Sequence, residues 1–151
     1  MRAVYQRVFE ATVSTEQSER RRIGRGLLLF LGVEREDDEK EADWLLDKVL
    51  RTRCFEDAGG RMNLSLQDIG GELMVISQFT LLGSLRKGTR PSFNRSADPG
   101  EAERLYERFA QQAAERLGRP VPTGFFARPM RIEAANDGPV TLVLDTRRKD
   151  F

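Results

Sequence analysis

Apolar positions along this chain fall into two periods, one near two residues and one near three and a half. From Ala3 to Val13 they alternate in part, with Val4, Val8 and Phe9 among polar neighbours, which predicts a strand. Ser14 to Glu19 is a polar turn. Gly26-Leu27-Leu28-Leu29-Phe30-Leu31-Gly32-Val33 is an unbroken apolar run bounded by glycines, and its length predicts a strand buried on both faces. Asp38 to Arg53 then takes the helical period, with Ala42, Leu45, Leu46 and Val49 on one face. Asp38 and Glu41 have the spacing of a capping box.

The period returns to two in short pieces. Cys54-Phe55-Glu56 and Met62 to Leu66 predict a hairpin about Asp57-Ala58-Gly59-Gly60, and Glu72 to Leu82 predicts a further strand after Gly70-Gly71. Gly83 to Ala97 is a long polar loop. A second helix opens at Asp98, with Pro99 at its first position and Glu101 spaced to close a box. It buries Ala102, Leu105, Tyr106, Phe109, Ala113 and Leu117 and stops at Gly118 before Pro120. Three strands follow, at Val121 to Phe125, Met130 to Ala135 and Val140 to Asp145. Strands alternating with two helices predict one α/β domain over residues 1–151. Its sheets are mixed and largely antiparallel, and both helices pack on one side in β/β/α layers.

Composition narrows the chemistry. The chain has 151 residues and a net charge of +1, and it contains no histidine and one cysteine. No stretch of about 18 apolar residues is present, so no membrane span is expected. The N-terminus lacks a signal-peptide core, and the lone Cys54 fits a reducing cytoplasm. A thiol nucleophile would need an activating base, which histidine is not there to supply. No Cys/His cluster has ligand spacing, so neither a metal nor a cofactor is expected. Reaction chemistry is left to backbone amides, hydroxyls, carboxylates or a group on the substrate.

Three segments could carry it. Ser77-Gln78-Phe79-Thr80 ends an apolar strand, where backbone N–H groups could hold a developing oxyanion and Gln78 could orient a carbonyl or a water. Taken alone, the plainer reading is a strand end with solvated side chains. Asn136-Asp137-Gly138-Pro139-Val140-Thr141 puts proline at a strand start, and by itself it reads as a trans Gly-Pro turn. Leu85 to Arg95 mixes Arg86, Lys87, Arg90 and Arg95 with Gly88, Pro91 and Phe93. It suits a phosphate backbone with one stacked base, and equally a solvated loop. Arg20-Arg21-Arg22 reads as charged surface.

Together these segments resemble the D-aminoacyl-tRNA deacylase family over essentially the whole chain. The resemblance rests on Gln6-Arg7-Val8, Phe55-Glu56-Asp57, Met62-Asn63-Leu64-Ser65, Gly70-Gly71-Glu72-Leu73, the Ser77-Gln78-Phe79-Thr80 motif, the basic loop and the Gly138-Pro139 motif. It implies ester hydrolysis of D-aminoacyl-tRNA, and of mischarged glycyl-tRNA, by a cytoplasmic homodimer. It implies a cis Gly138–Pro139 bond that enters the partner's pocket, grips the substrate's amino group through two carbonyls and rejects L side chains. Arg7 would brace that motif. Ser77, Gln78, Phe79 and Thr80 would line the site, Phe126 and Met130 would face the terminal adenine, and the basic loop would hold the tRNA acceptor end. The terminal ribose 2′-hydroxyl would assist water, so the protein needs no base. Pro129 stands where the family usually has an acidic residue, Thr15 to Ser18 lacks its usual glycine, and the tail Arg147 to Phe151 is slightly long. A non-catalytic dimeric nucleic-acid-binding module of the same fold is the alternative.

Overall fold

The structure is a computed structural model that describes residues 1–17 and 19–149. Ser18, in the polar turn, and Asp150 and Phe151, in the tail, lie outside the described residues. In chain order the elements are β1 (Arg2–Ser14), β2 (Arg20–Ile23), β3 (Gly26–Gly32), α1 (Glu39–Arg51), β4 (Phe55–Glu56), β5 (Met62–Leu64), β6 (Glu72–Ser77), a 3₁₀ turn at Phe79–Leu82, α2 (Pro99–Leu117) and β7 (Arg131–Asp145).

Strand β1 organises the sheet. One of its edges takes β3 along the first half and β2 along the second, both antiparallel. Its other edge takes β7, also antiparallel, from Arg2 opposite Asp145 to Ser14 opposite Arg131. β6 extends the sheet by pairing parallel to β3, and β4 and β5 form a separate hairpin. The result is the mixed, mostly antiparallel α/β domain that the pattern predicts.

Each face of the sheet has its own core. Ala3, Tyr5, Leu27, Leu29, Leu31, Leu73 and Val75 point at the helices, where Leu45, Leu46, Val49, Leu105 and Phe109 meet them. Burying such a side chain contributes roughly 1.5–3 kcal/mol. Val8, Ala11, Val13, Leu28, Met74 and Ile76 fill the opposite face, capped by Phe125 and Met130. The run in β3 is therefore buried on both sides, as its unbroken apolarity predicts. In β1 the odd-numbered residues face the helices up to Tyr5 and the other core from Ala11 onward. The register shift between Val8 and Glu10 reverses them, as a bulge must.

Helix α1 has its capping box. Asp38 Oδ1 accepts from the Lys40 N–H at 2.7 Å, and Glu41 Oε2 accepts from the Asp38 N–H at 3.2 Å. The second predicted box is not formed: the Asp98 side chain makes no capping bond, and Glu101 pairs with Arg104 at 2.7 Å. Gly118 ends α2 in the left-handed conformation at φ 64°, as expected of a terminal glycine.

Four strand assignments change. The strand predicted to Leu82 stops at Ser77, because the Gln78 N–H makes the last ladder bond, to the Leu31 carbonyl, and the chain then curls into the 3₁₀ turn. Val121 to Phe125 is no strand. Pro120 precedes it and Pro122 lies within it, and among the described residues it meets β6 only about Thr123, through the Val75 N–H to Pro122 O and the Gly124 N–H to Val75 O. Arg20–Ile23 is a strand that the charge of its side chains conceals, since only Ile23 is buried. The last two predicted strands are one, β7, which runs through the Gly-Pro motif.

Both tyrosines are buried, and burial pushes the Tyr5 hydroxyl up to about 12 and raises that of Tyr106, which donates to the Val75 carbonyl at 2.9 Å. A phenol raised in the folded state stabilises it fully below the unfolded value near 10, and the contribution is lost as pH rises through the folded value. Stability measured by denaturant should therefore fall between about pH 10 and 12, and the phenolate absorbance should appear together with unfolding. Free titration of both tyrosines near 10 with the fold intact would contradict this packing.

Candidate active site

The parallel seam between β3 and β6 sets where the site lies. At its start Gly26 lies against Glu72 so closely that a Cβ on it would fall 1.8 Å from the Glu72 carbonyl oxygen, so only glycine fits. At its end Leu31 pairs with Ser77, and the chain turns. Beside that turn is a cavity of about 770 Å³. Ser77, Gln78 and Phe79 form one side, Phe126 to Met130 another, and the start of α2 a third.

The turn itself carries the donors. Leu81 N–H bonds to the Gln78 carbonyl at 3.3 Å and Gly83 N–H to Thr80 O at 3.0 Å. Among the described residues, the N–H groups of Phe79 and Thr80 have no acceptor. Two adjacent unpaired amides at a cavity mouth are suited to a developing negative charge. Gln78 donates its side-chain amide to the Thr80 hydroxyl, and Thr80 itself is exposed and outside the cavity lining. Thr80 has no histidine or cysteine beside it that could act as a base. Cys54 is fully buried, and burial pushes its thiol up against the pull of Arg7, which removes it as a nucleophile.

The opposite wall brings Phe126 and Met130 together, as the resemblance implies, with Pro129 between them in sequence and also lining the space. Phe126 packs on Tyr106 with ring centroids 5.9 Å apart. Ala127 takes a left-handed backbone at φ 53°, which folds the wall back on itself.

Residues 83–97 are tethered to the turn. Ser84 and Ser92 exchange backbone bonds of 2.8 and 2.9 Å, and Phe93 meets Phe79 edge to face at 5.0 Å. Arg86, Lys87 and Arg90 lie exposed on the arc between the two serines. Arg95 lies past that arc and turns its Nε to Glu34, which also takes Arg147 at 3.2 Å. Sequence alone offered no sign of that pairing, because Glu34 lies far from Arg95 along the chain.

The Gly-Pro motif is elsewhere. Gln6 of β1 pairs with Thr141 and Val8 with Asn136, so Arg7 alone faces residues 137–140 and the chain between them bulges out. Arg7 is buried and donates to the Cys54 carbonyl at 2.7 Å and to Asp137 O at 3.0 Å, with its Nε 3.3 Å from Asp137 Oδ2. The Gly138–Pro139 peptide is cis, Gly138 has φ 139°, and both residues are exposed. None of Arg7, Gly138 and Pro139 lines the cavity of its own chain.

The family description D-Tyr-tRNA(Tyr) deacylase matches residues 4–145. The D-aminoacyl-tRNA deacylase of Geotalea uraniireducens is 53% identical over 97% of this chain and 94% of its own length. That of Kosmotoga olearia is 50% identical over 99% of both. The chain belongs to the D-Tyr-tRNA(Tyr) deacylase family. Among solved structures it is similar to the c-Myc DNA Unwinding Element Binding Protein, with a TM-score of 0.88 and 36% identity over 96% of this chain and 98% of that one. A probable eukaryotic D-amino acid tRNA deacylase shares the fold, at a TM-score of 0.80 and 17% identity over 95% of this chain and 97% of that one. Among the described residues no helix is long and apolar enough to cross a membrane, and no three His, Cys, Asp or Glu side chains gather as metal ligands do.

Arg7→Met should cost about 3 kcal/mol, because Asp137 loses its ion pair and the Cys54 carbonyl its donor. Deacylase activity should fall further than stability does, since the motif loses its brace. Chemical denaturation and turnover of D-tyrosyl-tRNA, measured on the same preparation, check both halves.

Proposed function

We propose that two copies of this chain form a homodimer in which each cavity is completed by residues 136–139 of the partner subunit. The observation that carries this is a mismatch of place. The amide donors and the aromatic wall share one cavity, while the Gly-Pro motif is exposed, braced by Arg7, and outside that cavity. In the dimer the carbonyl oxygens of Gly138 and Pro139 accept from the substrate's ammonium group and crowd the position an L side chain would need. Chirality is then read by exclusion. Glycyl-tRNA, which carries no side chain to exclude, is cleaved as well.

In this reading the terminal adenine lies against Phe126 and Met130, and the ester carbonyl points at the N–H groups of Phe79 and Thr80. Water, assisted by the terminal ribose 2′-hydroxyl and oriented by Ser77 and Gln78, adds to the carbonyl carbon. The oxyanion is held by the two amides, each such donor being worth about 3–4 kcal/mol. The bond to the ribose 3′-oxygen then breaks, the proton from water goes to that oxygen, and free tRNA and amino acid leave. Arg86, Lys87 and Arg90 hold acceptor-end phosphates without reading bases, and Arg95 supports the loop from Glu34. The substrate places the enzyme in the cytoplasm.

The test is to follow ester loss from D-tyrosyl-tRNA and L-tyrosyl-tRNA side by side. Cleavage of the D ester alone supports the reading. Binding of tRNA with neither ester cleaved would favour the non-catalytic module.

Thr80→Ala should keep activity within about tenfold, because its hydroxyl has no activating base. A substrate with a 2′-deoxy terminal ribose should react far more slowly. Loss of all turnover in the variant, with normal cleavage of the deoxy substrate, would instead mark Thr80 as the nucleophile.

Phe9 is 58% exposed at the β1 bulge, and Leu142 is exposed on the neighbouring β7. A second copy covers both. Phe9→Glu should therefore give a monomer in sedimentation and lower deacylation by at least an order of magnitude. A fully active monomer would rule out the shared site.

A further inference from the structure

The Arg20-Arg21-Arg22 cluster reads as charged surface in sequence, yet its middle member is spent on the cavity. Arg22 pairs with Glu10, and Arg20 is exposed. Arg21 is half-buried, and its Nη1 lies 2.7 Å from Thr123 Oγ1, 2.8 Å from Thr123 O and 3.1 Å from Gly124 O. Its guanidinium carbon sits 4.3 Å above the centre of the Phe125 ring. Arg128 approaches the same ring at 5.4 Å and is tied to Glu19 at 2.8 Å and to Gln17 at 3.0 Å.

These contacts fall on a stretch with little other support. Thr123 and Gly124 open the segment that supplies Phe126, Pro129 and Met130 to the cavity. Among the described residues, beyond the bonds to Val75 and Arg21, its backbone makes only the Arg128 N–H bond to Phe125 O at 3.2 Å. Gly124 is packed so closely that a Cβ on it would meet Ile76 and Met130 Sδ, each at 3.1 Å. Sliding the segment by a fraction of an ångström therefore moves the wall. A planar guanidinium can hold two carbonyls in its plane while stacking on an aromatic face, which an ammonium cannot do.

We propose that Arg21 is a positioning residue that sets the aromatic wall of the cavity, and through it the binding of the terminal nucleoside of aminoacyl-tRNA. Arg21 touches no substrate. It acts through Thr123, Gly124 and Phe125 on Phe126 and Met130. The inference rests on the reading above that this wall receives the terminal adenosine.

The experiment compares Arg21→Met, Arg21→Lys and Phe126→Ala on D-tyrosyl-tRNA and on the minimal substrate D-tyrosyl-adenosine. Arg21→Met should raise KM on the order of tenfold on both substrates, with kcat held within about twofold, since misplacing a binding wall weakens binding before it slows chemistry. Arg21→Lys should recover only part of the loss. The Arg21→Met and Phe126→Ala effects should be markedly non-additive, because one works through the other. A loss confined to the full tRNA, with a changed salt dependence, would make Arg21 a phosphate contact and overturn the proposal. Additive effects, or no effect of either Arg21 variant while Phe126→Ala raises KM, would overturn it too. If Phe126→Ala itself leaves KM unchanged on both substrates, the assignment of the wall fails, and this inference fails with it. Should Arg21→Met fold poorly, Phe125→Leu removes the stacking partner alone and must raise KM in the same direction.

Discussion

The arrangement of this molecule depends on one buried guanidinium. Arg7 occupies one of the two places where the pairing of β1 with β7 is interrupted, and it answers there for the Cys54 carbonyl, the Asp137 carbonyl and the Asp137 carboxylate. A charge so far out of water is tolerated only because its donors are met. Those donors are also what hold residues 137–140 outward from the sheet. The same strand carries Phe9 beyond the bulge and feeds both cores, so the brace, the exposed apolar edge and the packing share one stretch of backbone.

A protein without histidine must find its reactivity in geometry. Among the described residues the 3₁₀ turn leaves two neighbouring amides unpaired, and the cavity beside it is largely apolar. Fixed dipoles act more strongly in such surroundings than in water and need no reorientation as charge develops. The basic arc is joined to that turn through the Phe79–Phe93 contact, so the part suited to phosphate and the part suited to the ester move as neighbours.

Much of the fold is legible in local pattern, and the failures share a cause. The doubly buried β3, the capped α1 and the glycine stop of α2 are each set by residues close in sequence. What local pattern misreads is decided at a distance. Arg20–Ile23 becomes a strand because β1 offers an edge, although its side chains look like solvent-exposed charge. Val121 to Phe125 has strand-like residues but finds only Val75 to pair with. Ser77, Gln78, Phe79, Phe126 and Met130 line one cavity. Arg21 and the Glu34 partner of Arg95 left no trace in sequence, because a lone arginine looks the same whether it faces water or a carbonyl.

The seam between β3 and β6 limits how this sequence can drift. Gly26 is pressed on the Glu72 carbonyl at one end, and Ser77 is delivered to the cavity at the other. Because the ladder between them is continuous, the contact at Gly26 acts as the zero mark of a ruler whose far end is the 3₁₀ turn. Substitutions on the outer faces of the helices leave that ruler untouched, so variation can accumulate there. A side chain at position 26 would shift every rung above it. A residue with no chemistry of its own is in this way as little free to change as those that line the cavity.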